Sequence, residues 1–156
     1  MLNQIYKTKK IILLLIIIVL TGQLYAQKQI TASQQTVQQT VIKLFDALSN
    51  RDSTSLKAYS TADITLYEYG QVWNIDTLIL KAITLNQSAD FKRINSFDFI
   101  NTKADKTTAW VTYQLQSVIT RDGKQAIVQW LETVVLARER KQWKVKHLHS
   151  TLIKRS

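Results

Sequence analysis

The second half of the chain contains four long segments in which apolar and polar residues alternate. These segments span residues 91–102, 107–120, 125–139 and 143–153. Alternation over such lengths is typical of β-strands that bury one face and expose the other. The dipeptide Asp122-Gly123, between the second and third segments, favours a tight two-residue hairpin turn. The pattern therefore predicts four consecutive antiparallel strands, in a sheet long enough to twist and curl.

The first half of the chain shows the periodicity of helices. Apolar residues recur on one helix face across residues 34–49, namely Val37, Val41, Leu44, Phe45 and Leu48. Asp52 is expected to cap a short second helix, because an aspartate side chain can accept a hydrogen bond from the first free backbone N–H groups. Asn74 or Asp76 is expected to cap a third helix in the same way.

A short hairpin is predicted between the second and third helices. Residues 64–69 alternate as a strand, and Val72-Trp73 returns as a short partner after a turn at Gly70. Helices therefore come first along the chain, and the long strand meander follows. This order predicts an α+β fold in which the N-terminal helices pack into a strongly curved antiparallel sheet.

The first 26 residues have the three parts of a secretory signal peptide. Lys7, Lys9 and Lys10 precede an apolar run over residues 11–20, and the small residue Ala26 ends the segment. The apolar run is shorter than the roughly 20 residues that a membrane-spanning helix needs. We expect cleavage after Ala26, export to the periplasm or secretion, and one soluble domain at residues 27–156 without membrane attachment. The alternative is an uncleaved membrane anchor.

The composition excludes several classes of function. The chain has no cysteine, which excludes disulfide bonds, thiolate metal sites and cysteine nucleophiles. The formal net charge is +10, and 18 basic against 11 acidic residues remain in residues 27–156. The one basic cluster, residues 138–146, is typical of a solvated hairpin, so no nucleic-acid partner is expected. Phosphate-binding loops and nucleophile elbows are absent from the sequence, and no cofactor is expected.

The geometry of the hairpins predicts which residues share the inner face of the sheet. A two-residue loop at Asp122-Gly123 places Tyr113 opposite Glu132. A loop tip at Arg140-Lys141 places Glu132 opposite His149. Tyr113, Glu132 and His149 then form one row across three strands. A bulge in either hairpin would shift this row by one residue.

The opposite face of the sheet mixes polar residues with exposed apolar ones. Its apolar members are expected to include Trp110, Leu131, Val135 and Leu148. Because soluble monomers rarely expose so much contiguous apolar surface, this face predicts a homodimer through the outer side of the sheet.

The order of elements and the C-terminal motif resemble the nuclear transport factor 2-like superfamily, which includes the SnoaL-like and ketosteroid-isomerase-like proteins. The motif consists of Glu132-Thr133, a charged turn, Trp143 and His147-Leu-His149. It is most similar to the association domain of calcium/calmodulin-dependent kinase and its bacterial relatives. The resemblance implies a cone whose concave sheet face and helices enclose an apolar pocket, and dimers that form through the outer sheet face. It transfers no activity, because the catalytic sets of the steroid isomerases and polyketide cyclases have no match here.

Three functions are compatible with these residues. The first is binding of a small apolar molecule in a pocket bordered by Trp130, His147, Thr151, Trp73 and Tyr69. The second is a cofactor-independent isomerase, dehydratase or cyclase. In that case Glu132 and His149 would act as general base and acid, and Tyr113 would donate a hydrogen bond to a developing oxyanion.

The third function is a non-catalytic dimeric scaffold, in which Tyr113, Glu132 and His149 only satisfy one another and stabilise the strand register. A metal site is not expected. His147 and His149 need a third ligand at fixed geometry, and the sequence suggests only Glu132 for that position.

Overall fold

The computed structural model describes residues 30–156, of which Ala32–Ser156 form one compact unit. The predicted signal peptide, residues 1–26, lies outside the described residues. Within the described part of the chain, no helix is long and apolar enough to cross a membrane.

Two helices open the fold and confirm the predicted periodicity. Helix α1 spans Ala32–Ser49 and buries the predicted apolar face, including Val37, Val41 and Leu44. Helix α2 spans Ser53–Tyr59, and the Asp52 side chain caps it by accepting a hydrogen bond from the Ser55 backbone N–H at 3.0 Å.

A short hairpin and a third helix follow. Strand β1 spans Ser60–Glu68 and strand β2 spans Gln71–Trp73. They are joined by Tyr69 and Gly70, which both have positive φ angles, of 50° and 72°. Helix α3, Ile75–Ile79, is capped by the Asn74 side chain, and a π-helical turn, Leu80–Thr84, extends it.

Four long strands complete the sheet: β3 (Lys92–Ala104), β4 (Thr108–Arg121), β5 (Lys124–Glu139) and β6 (Gln142–Arg155). The strand order is β2-β1-β6-β5-β4-β3. All neighbours are antiparallel except β1 and β6, which run parallel. The sequence pattern did not predict this parallel pair. The sheet curls around α1 without closing, and the α+β cone predicted from the sequence is the observed fold.

The register of β4 and β5 is the predicted one. Arg121 pairs with Lys124 across the Asp122-Gly123 turn, and Tyr113 pairs with Glu132. The tip of the next hairpin also has the predicted two-residue loop, since Glu139 pairs with Gln142.

The register of β5 and β6 departs from the prediction beyond the hairpin tip. Leu136 pairs with Val145 but Val135 pairs with His147, so Lys146 is an extra, unpaired residue in β6. This bulge reverses the face of the residues from His147 to Leu152. Glu132 consequently pairs with Ser150, and the predicted pairing of Glu132 with His149 is wrong.

The same bulge corrects the predicted outer face. Leu148 was expected on the outside but is 2% exposed, because the extra residue turns it into the core. Trp110 and Leu131 lie on the outer face as predicted, with 46% and 40% exposure. Val135 also lies on this face and is half-buried.

Candidate functional site

A row of side chains crosses the concave face of the sheet. Ser150 on β6 pairs with Glu132 on β5, which pairs with Tyr113 on β4, which in turn pairs with Phe99 on β3. Glu68 extends this row on β1. It follows Tyr67, the parallel partner of His149, and therefore lies beside Ser150. The strands thus bring two glutamates and a serine together on the concave face of the sheet.

Glu132 is a buried carboxyl group with 3% exposure. Its Oε1 accepts a hydrogen bond from the Ser150 hydroxyl at 3.0 Å. Its Oε2 is buried and has no hydrogen-bond partner within residues 30–156. Burial raises the pKa of Glu132, and Tyr113, Ser150 and Arg93 oppose the increase. The protonated form of Glu132 is therefore favoured relative to an exposed glutamate.

Glu68 is the second carboxyl group of the site. Burial and the nearby charge of Glu132 raise the pKa of Glu68 from 4.5 to about 7, and the charge of Arg93 opposes this increase. A carboxyl group with this pKa is partly ionised at neutral pH, so it can both accept and release a proton under physiological conditions.

Arg93 supplies the positive charge of the site. It lies on β3, donates hydrogen bonds from Nε to Asn95 Oδ1 at 2.9 Å and to Ser117 Oγ at 3.2 Å, and interacts electrostatically with Glu132 and Glu68. Its guanidinium group also lies over the rings of Phe45 and Trp130, 5.5 Å from each centroid. These contacts hold the cation in place beside the two carboxyl groups.

Tyr113 lies behind Glu132 and is fully buried. Its ring makes edge contacts with Phe45, Phe97 and Phe99, with centroids 5.4–6.3 Å apart. Its hydroxyl oxygen has no hydrogen-bond partner in the described part of the chain. Burial and the charge of Glu132 raise the pKa of Tyr113 well above its usual range. Tyr113 does not line the cavity into which Glu132 opens, so its influence on that cavity passes through Glu132.

The two glutamates open into a cavity. An inner pocket of about 170 Å³ is lined by Glu68, Glu132 and Arg93 together with aromatic residues that include Trp73 and Trp130. It shares five lining residues, namely Leu48, Tyr69, Lys81, Ala82 and Arg93, with a wider cleft of about 740 Å³. The inner pocket therefore adjoins the wide cleft. Three of the predicted pocket residues, Trp130, Trp73 and Tyr69, line it.

The structure does not bring the other predicted site residues to this cavity. His147, His149 and Thr151 lie on the outer face, opposite Val135, Thr133 and Leu131 respectively. The prediction that His149 completes the row with Glu132 and Tyr113 is wrong because of the bulge at Lys146.

The two histidines form an aromatic cluster on the outer face. The ring of Tyr67 contacts His147 and His149, with centroids 5.0 and 6.0 Å apart. His147 Nδ1 is 2.8 Å from the hydroxyl oxygen of Thr65. Partial burial and the neighbouring His149 lower the pKa of His147. These contacts bind β6 to β1 rather than directing the histidines to the pocket.

Glu68, Arg93 and Ser150 were not identified from the sequence. A signal for Glu68 was present, because Ile64, Leu66 and Glu68 alternate on one face of β1, and the first two are buried. A charged residue at an inward position of a strand marks a polar site within a core. Arg93 shows the same signal, two residues before Asn95 and four before Phe97 on the inward side of β3.

The described residues contain no group of three or more His, Asp or Glu side chains that could hold a metal ion. The two carboxyl groups of the pocket come with Arg93, whose positive charge is unsuited to a cation site. The side chains of the pocket can themselves transfer protons and make hydrogen bonds.

Comparisons with known proteins agree with this architecture. The family model of the SnoaL-like domain matches residues 37–153. No curated protein matches the sequence significantly.

Many solved structures share the fold. The hub homology domain of CamKII from Chlamydomonas reinhardtii superposes with a TM-score of 0.70 and 18% identity, covering 79% of this chain and 100% of that one. An NTF2-like protein from Cytophaga hutchinsonii has a TM-score of 0.65 and 19% identity, with 79% and 100% covered. A ketosteroid isomerase-like protein from Erwinia carotovora atroseptica has a TM-score of 0.65 and 14% identity, with 80% and 99% covered. At these identities the likeness concerns the fold, and with the match over residues 37–153 the chain belongs to the SnoaL-like domain family.

Proposed function

We propose that this protein is a cofactor-independent enzyme that transfers protons in its cone pocket, with Glu68 as the group that accepts and returns the proton and Glu132 as the neighbouring carboxylate that raises its pKa. The observation that carries this proposal is the placement of both carboxyl groups in one aromatic-lined pocket with Arg93, where the pKa of Glu68 is raised to about 7. Neighbouring carboxyl groups whose pKa values are raised by burial, and in one of them by the charge of the other, are typical of sites that transfer protons.

The reaction class that fits this pair is proton transfer at a carbon atom next to a carbonyl group. Ionised Glu68 accepts the proton from that carbon, and the electron pair moves toward the carbonyl oxygen. The positive charge of Arg93, which lines the same pocket, stabilises the charge that develops on this oxygen, and the charge of Glu132 raises the pKa of Glu68 and so makes Glu68 a stronger base. Glu68 then returns the proton to a different carbon atom in an isomerisation, or to a leaving hydroxyl group, which departs as water in a dehydration.

The remaining residues of the site have supporting roles in this proposal. Arg93 opposes the increase in the pKa values of Glu68 and Glu132, which keeps negative charge available in the pocket. Ser150 and Tyr113 orient the Glu132 carboxyl group, since one donates to Oε1 and the other lies behind it. Trp73, Trp130 and Phe45 provide apolar walls that exclude water from the reacting atoms.

Two measurements test this proposal. The first is a ¹³C NMR titration of the Glu68 carboxyl group in the purified protein, assigned with the Glu68→Gln variant. We expect a pKa of about 7, and a value near that of an exposed glutamate would contradict the role of Glu68 as a base.

The second measurement is hydrogen–deuterium exchange at carbon in D₂O, with 2-tetralone and cyclohexanone as carbonyl probes. We expect the protein to accelerate exchange, and Glu68→Gln to lower the rate by about 10²–10⁴-fold. Glu139→Gln is the matched control, because Glu139 is an exposed carboxylate outside the pocket. Exchange that Glu68→Gln leaves unchanged would contradict the proposal.

Binding of a small apolar molecule without turnover is the second candidate function. Phe45, Leu78, Trp73 and Trp130 line the inner pocket and favour an apolar ligand. Under this alternative an apolar probe binds with equal affinity to the wild-type protein and to Glu68→Gln, and neither protein catalyses exchange.

Self-association through the outer face of the sheet is part of the proposal. Trp110, Leu131 and Val135 form the apolar part of this face. Strand partners hold them in one patch, because Trp110 pairs directly with Val135. A homodimer that buries this patch removes its apolar surface from water.

Export is also part of the proposal, and it rests on the sequence of residues 1–26 alone. N-terminal sequencing of the protein from the exported fraction tests it. We expect the mature chain to begin at Gln27, and a retained Met1 would contradict cleavage.

A further inference from the structure

The wide cleft outside the inner pocket is bordered by basic side chains from four different elements. Lys81 comes from the π-helical turn, Arg121 from the end of β4, Lys124 from the start of β5 and Arg155 from the end of β6. Arg121 and Lys124 flank one hairpin turn, whereas Lys81 and Arg155 come from distant parts of the sequence, so the fold brings three separate segments together to concentrate the charge. Such a concave surface of one sign raises the local concentration of ligands of the opposite sign.

Acidic side chains compensate only a small part of this charge. Asp122 is the one acidic side chain among the described residues that border the wide cleft, and its Oδ2 is 3.7 Å from Arg121 Nε. The neighbouring Asp90 directs its carboxylate to the turn instead, accepting hydrogen bonds from the backbone N–H groups of Asp122 and Gly123 at 2.8 Å each. The cleft therefore keeps an excess of positive charge.

The contacts of these cations within the protein are mostly with neutral groups. Arg155 donates from Nη2 to the Tyr69 hydroxyl oxygen at 3.1 Å. Lys81 Nζ lies 5.2 Å from the centroid of the Trp73 ring. Neutral partners orient the two side chains without cancelling their charge, so both remain able to bind an anion.

Apolar side chains also line the wide cleft. Leu48, Ala82, Phe91 and Ile119 line the cleft together with the basic residues and Arg93. A cleft of about 740 Å³ lies within the range of about 300–1,000 Å³ that is typical of small-molecule sites. The cavity therefore combines a basic mouth, formed by the exposed residues Lys81, Arg121, Lys124 and Arg155, with an apolar lining and the carboxyl pair of the adjoining inner pocket.

We infer that the substrate is a small organic anion, held with its anionic group at Lys81, Arg121, Lys124 and Arg155 and with its apolar body directed toward Glu68 and Glu132. This inference rests on the proposed function for the reaction at the inner end, but not for the binding at the mouth. The anionic group is a carboxylate or a phosphate, which the same basic side chains can bind. The basic mouth then selects and orients the substrate, and the carboxyl pair acts on the far end.

Isothermal titration calorimetry with three matched probes tests this inference. The probes are 4-phenylbutyrate, 4-phenylbutyl phosphate and the neutral 4-phenylbutan-1-ol. At low ionic strength we expect at least one anionic probe to bind about tenfold or more tightly than the alcohol, with the preference decreasing as salt is added. The tighter anion identifies the group as carboxylate or phosphate.

Two double variants that remove the same net charge test whether the basic residues of the cleft cause the preference for anionic probes. Lys124→Gln combined with Arg155→Gln should abolish it. Lys43→Gln combined with Lys103→Gln should retain it, because neither lysine lines the cleft and Lys103 lies ten residues along β3 from Arg93, roughly 30 Å away. Equal binding of anions and alcohol, no binding by any probe, or equal effects of the two double variants would overturn the inference.

The preference for anionic ligands can be tested separately from the proposed enzymatic activity. Glu68→Gln should retain the preference for anions, because Glu68 does not line the wide cleft. If anions bind preferentially but no proton exchange is found, the inference about the ligand stands and the proposed activity fails. If exchange is found but anions have no advantage over the alcohol, the activity stands and this inference fails.

Discussion

The hydroxyl group of Ser150 donates a hydrogen bond to Oε1 of Glu132 at 3.0 Å, across the pairing of the last two strands. Behind the same carboxyl group lies Tyr113, its partner on β4. Glu132 Oε2 and the Tyr113 hydroxyl oxygen are both buried, and neither has a hydrogen-bond partner in the part of the chain that is described. Buried polar atoms without partners are rare in folded proteins and occur most often where function requires them.

Replacing Ser150 by alanine tests the importance of its hydrogen bond. The variant loses the donor to a buried carboxyl group, so we expect the free energy of unfolding to fall by about 1–3 kcal/mol. The pKa of Glu132 should increase further, because Ser150 is one of the groups that oppose its increase. Urea denaturation measures the first effect and ¹³C NMR titration measures the second.

Thr151→Ala is the control for this variant. Thr151 is the next residue in β6 but is exposed on the outer face, so its loss should change the free energy of unfolding by less than about 0.5 kcal/mol. Equal losses in the two variants would mean that the Ser150 hydroxyl has no special role.

Glu68→Gln should increase stability at high pH. The pKa of Glu68 is 4.5 in an unperturbed chain and about 7 in the folded protein, so the folded state binds the proton more tightly. Stability contributed by this proton is present below pH 4.5, decreases as the pH rises toward 7, and is lost above it. Glutamine does not ionise, so Glu68→Gln does not lose stability as the pH rises through this range. Because Glu68 is partly exposed, we expect a gain of about 1–2 kcal/mol at alkaline pH.

Chemical denaturation of the wild-type protein and Glu68→Gln at pH 4.5 and pH 8.5 measures this difference. The two proteins should be equally stable at the lower pH, which serves as the internal control. A glutamine variant that is less stable than the wild type at pH 8.5 would contradict the inferred burial of an ionisable carboxyl group.

Glu132→Gln tests the coupling between the two carboxyl groups. The charge of Glu132 is one cause of the raised pKa of Glu68, so its removal should lower the pKa of Glu68 below about 7. The acidic limb of any pH–rate profile should move to lower pH by the same amount. In Glu139→Gln, which removes an exposed carboxylate, the titration of Glu68 should not change. Identical titrations in all three proteins would show that the glutamates do not interact.

Leu131→Arg tests self-association through the outer face. Leu131 is 40% exposed there, so a charge at this position should convert a dimer to a monomer without unfolding it. Gln39→Arg, an exposed position on α1, adds the same charge elsewhere and should leave the assembly intact. Size-exclusion chromatography with light scattering measures both. A wild-type protein that is monomeric, or a dimer that Leu131→Arg preserves, would contradict the interface.

Leu148→Arg should behave differently from Leu131→Arg. Leu148 is 2% exposed in the core, so the buried and unpaired charge should destabilise the fold by about 3–5 kcal/mol. Thermal denaturation followed by circular dichroism distinguishes the two variants. A stable, folded Leu148→Arg would contradict the register of β6.

Local signals in the sequence were sufficient to predict most of the fold. The helix face of α1, the caps Asp52 and Asn74, and the Asp122-Gly123 turn all depend on residues close together in the chain. The register of β4 and β5 follows from that turn, so the pairing of Tyr113 with Glu132 was predictable. Such features need no knowledge of tertiary contacts.

The candidate site was only partly predictable, because its remaining contacts are not local. Nothing near Lys146 marks it as a bulge, yet an unbulged β6 would bury His147 and His149, whereas the bulged strand buries Leu148 and Ser150. Burial of an apolar leucine in place of two imidazoles favours the bulged strand. Glu68 joins the site through the parallel pairing of β1 with β6, whose partners lie more than 80 residues apart in the chain.

Strand β6 is irregular at two places, since its register with β5 shifts at Lys146 and again at Ile153. Each extra residue bends the strand and increases its twist. The inner wall of the cone therefore depends on the number of residues in β6 as well as on their kinds. If β6 paired with β5 without the bulge at Lys146, the residues from His147 to Leu152 would lie on the opposite face of the sheet. His149 would then lie opposite Glu132, and Ser150 and Leu148 would lie on the outer face. Insertions and deletions in this strand, more than substitutions, are thus the genetic changes by which such a cone could acquire a different set of catalytic groups.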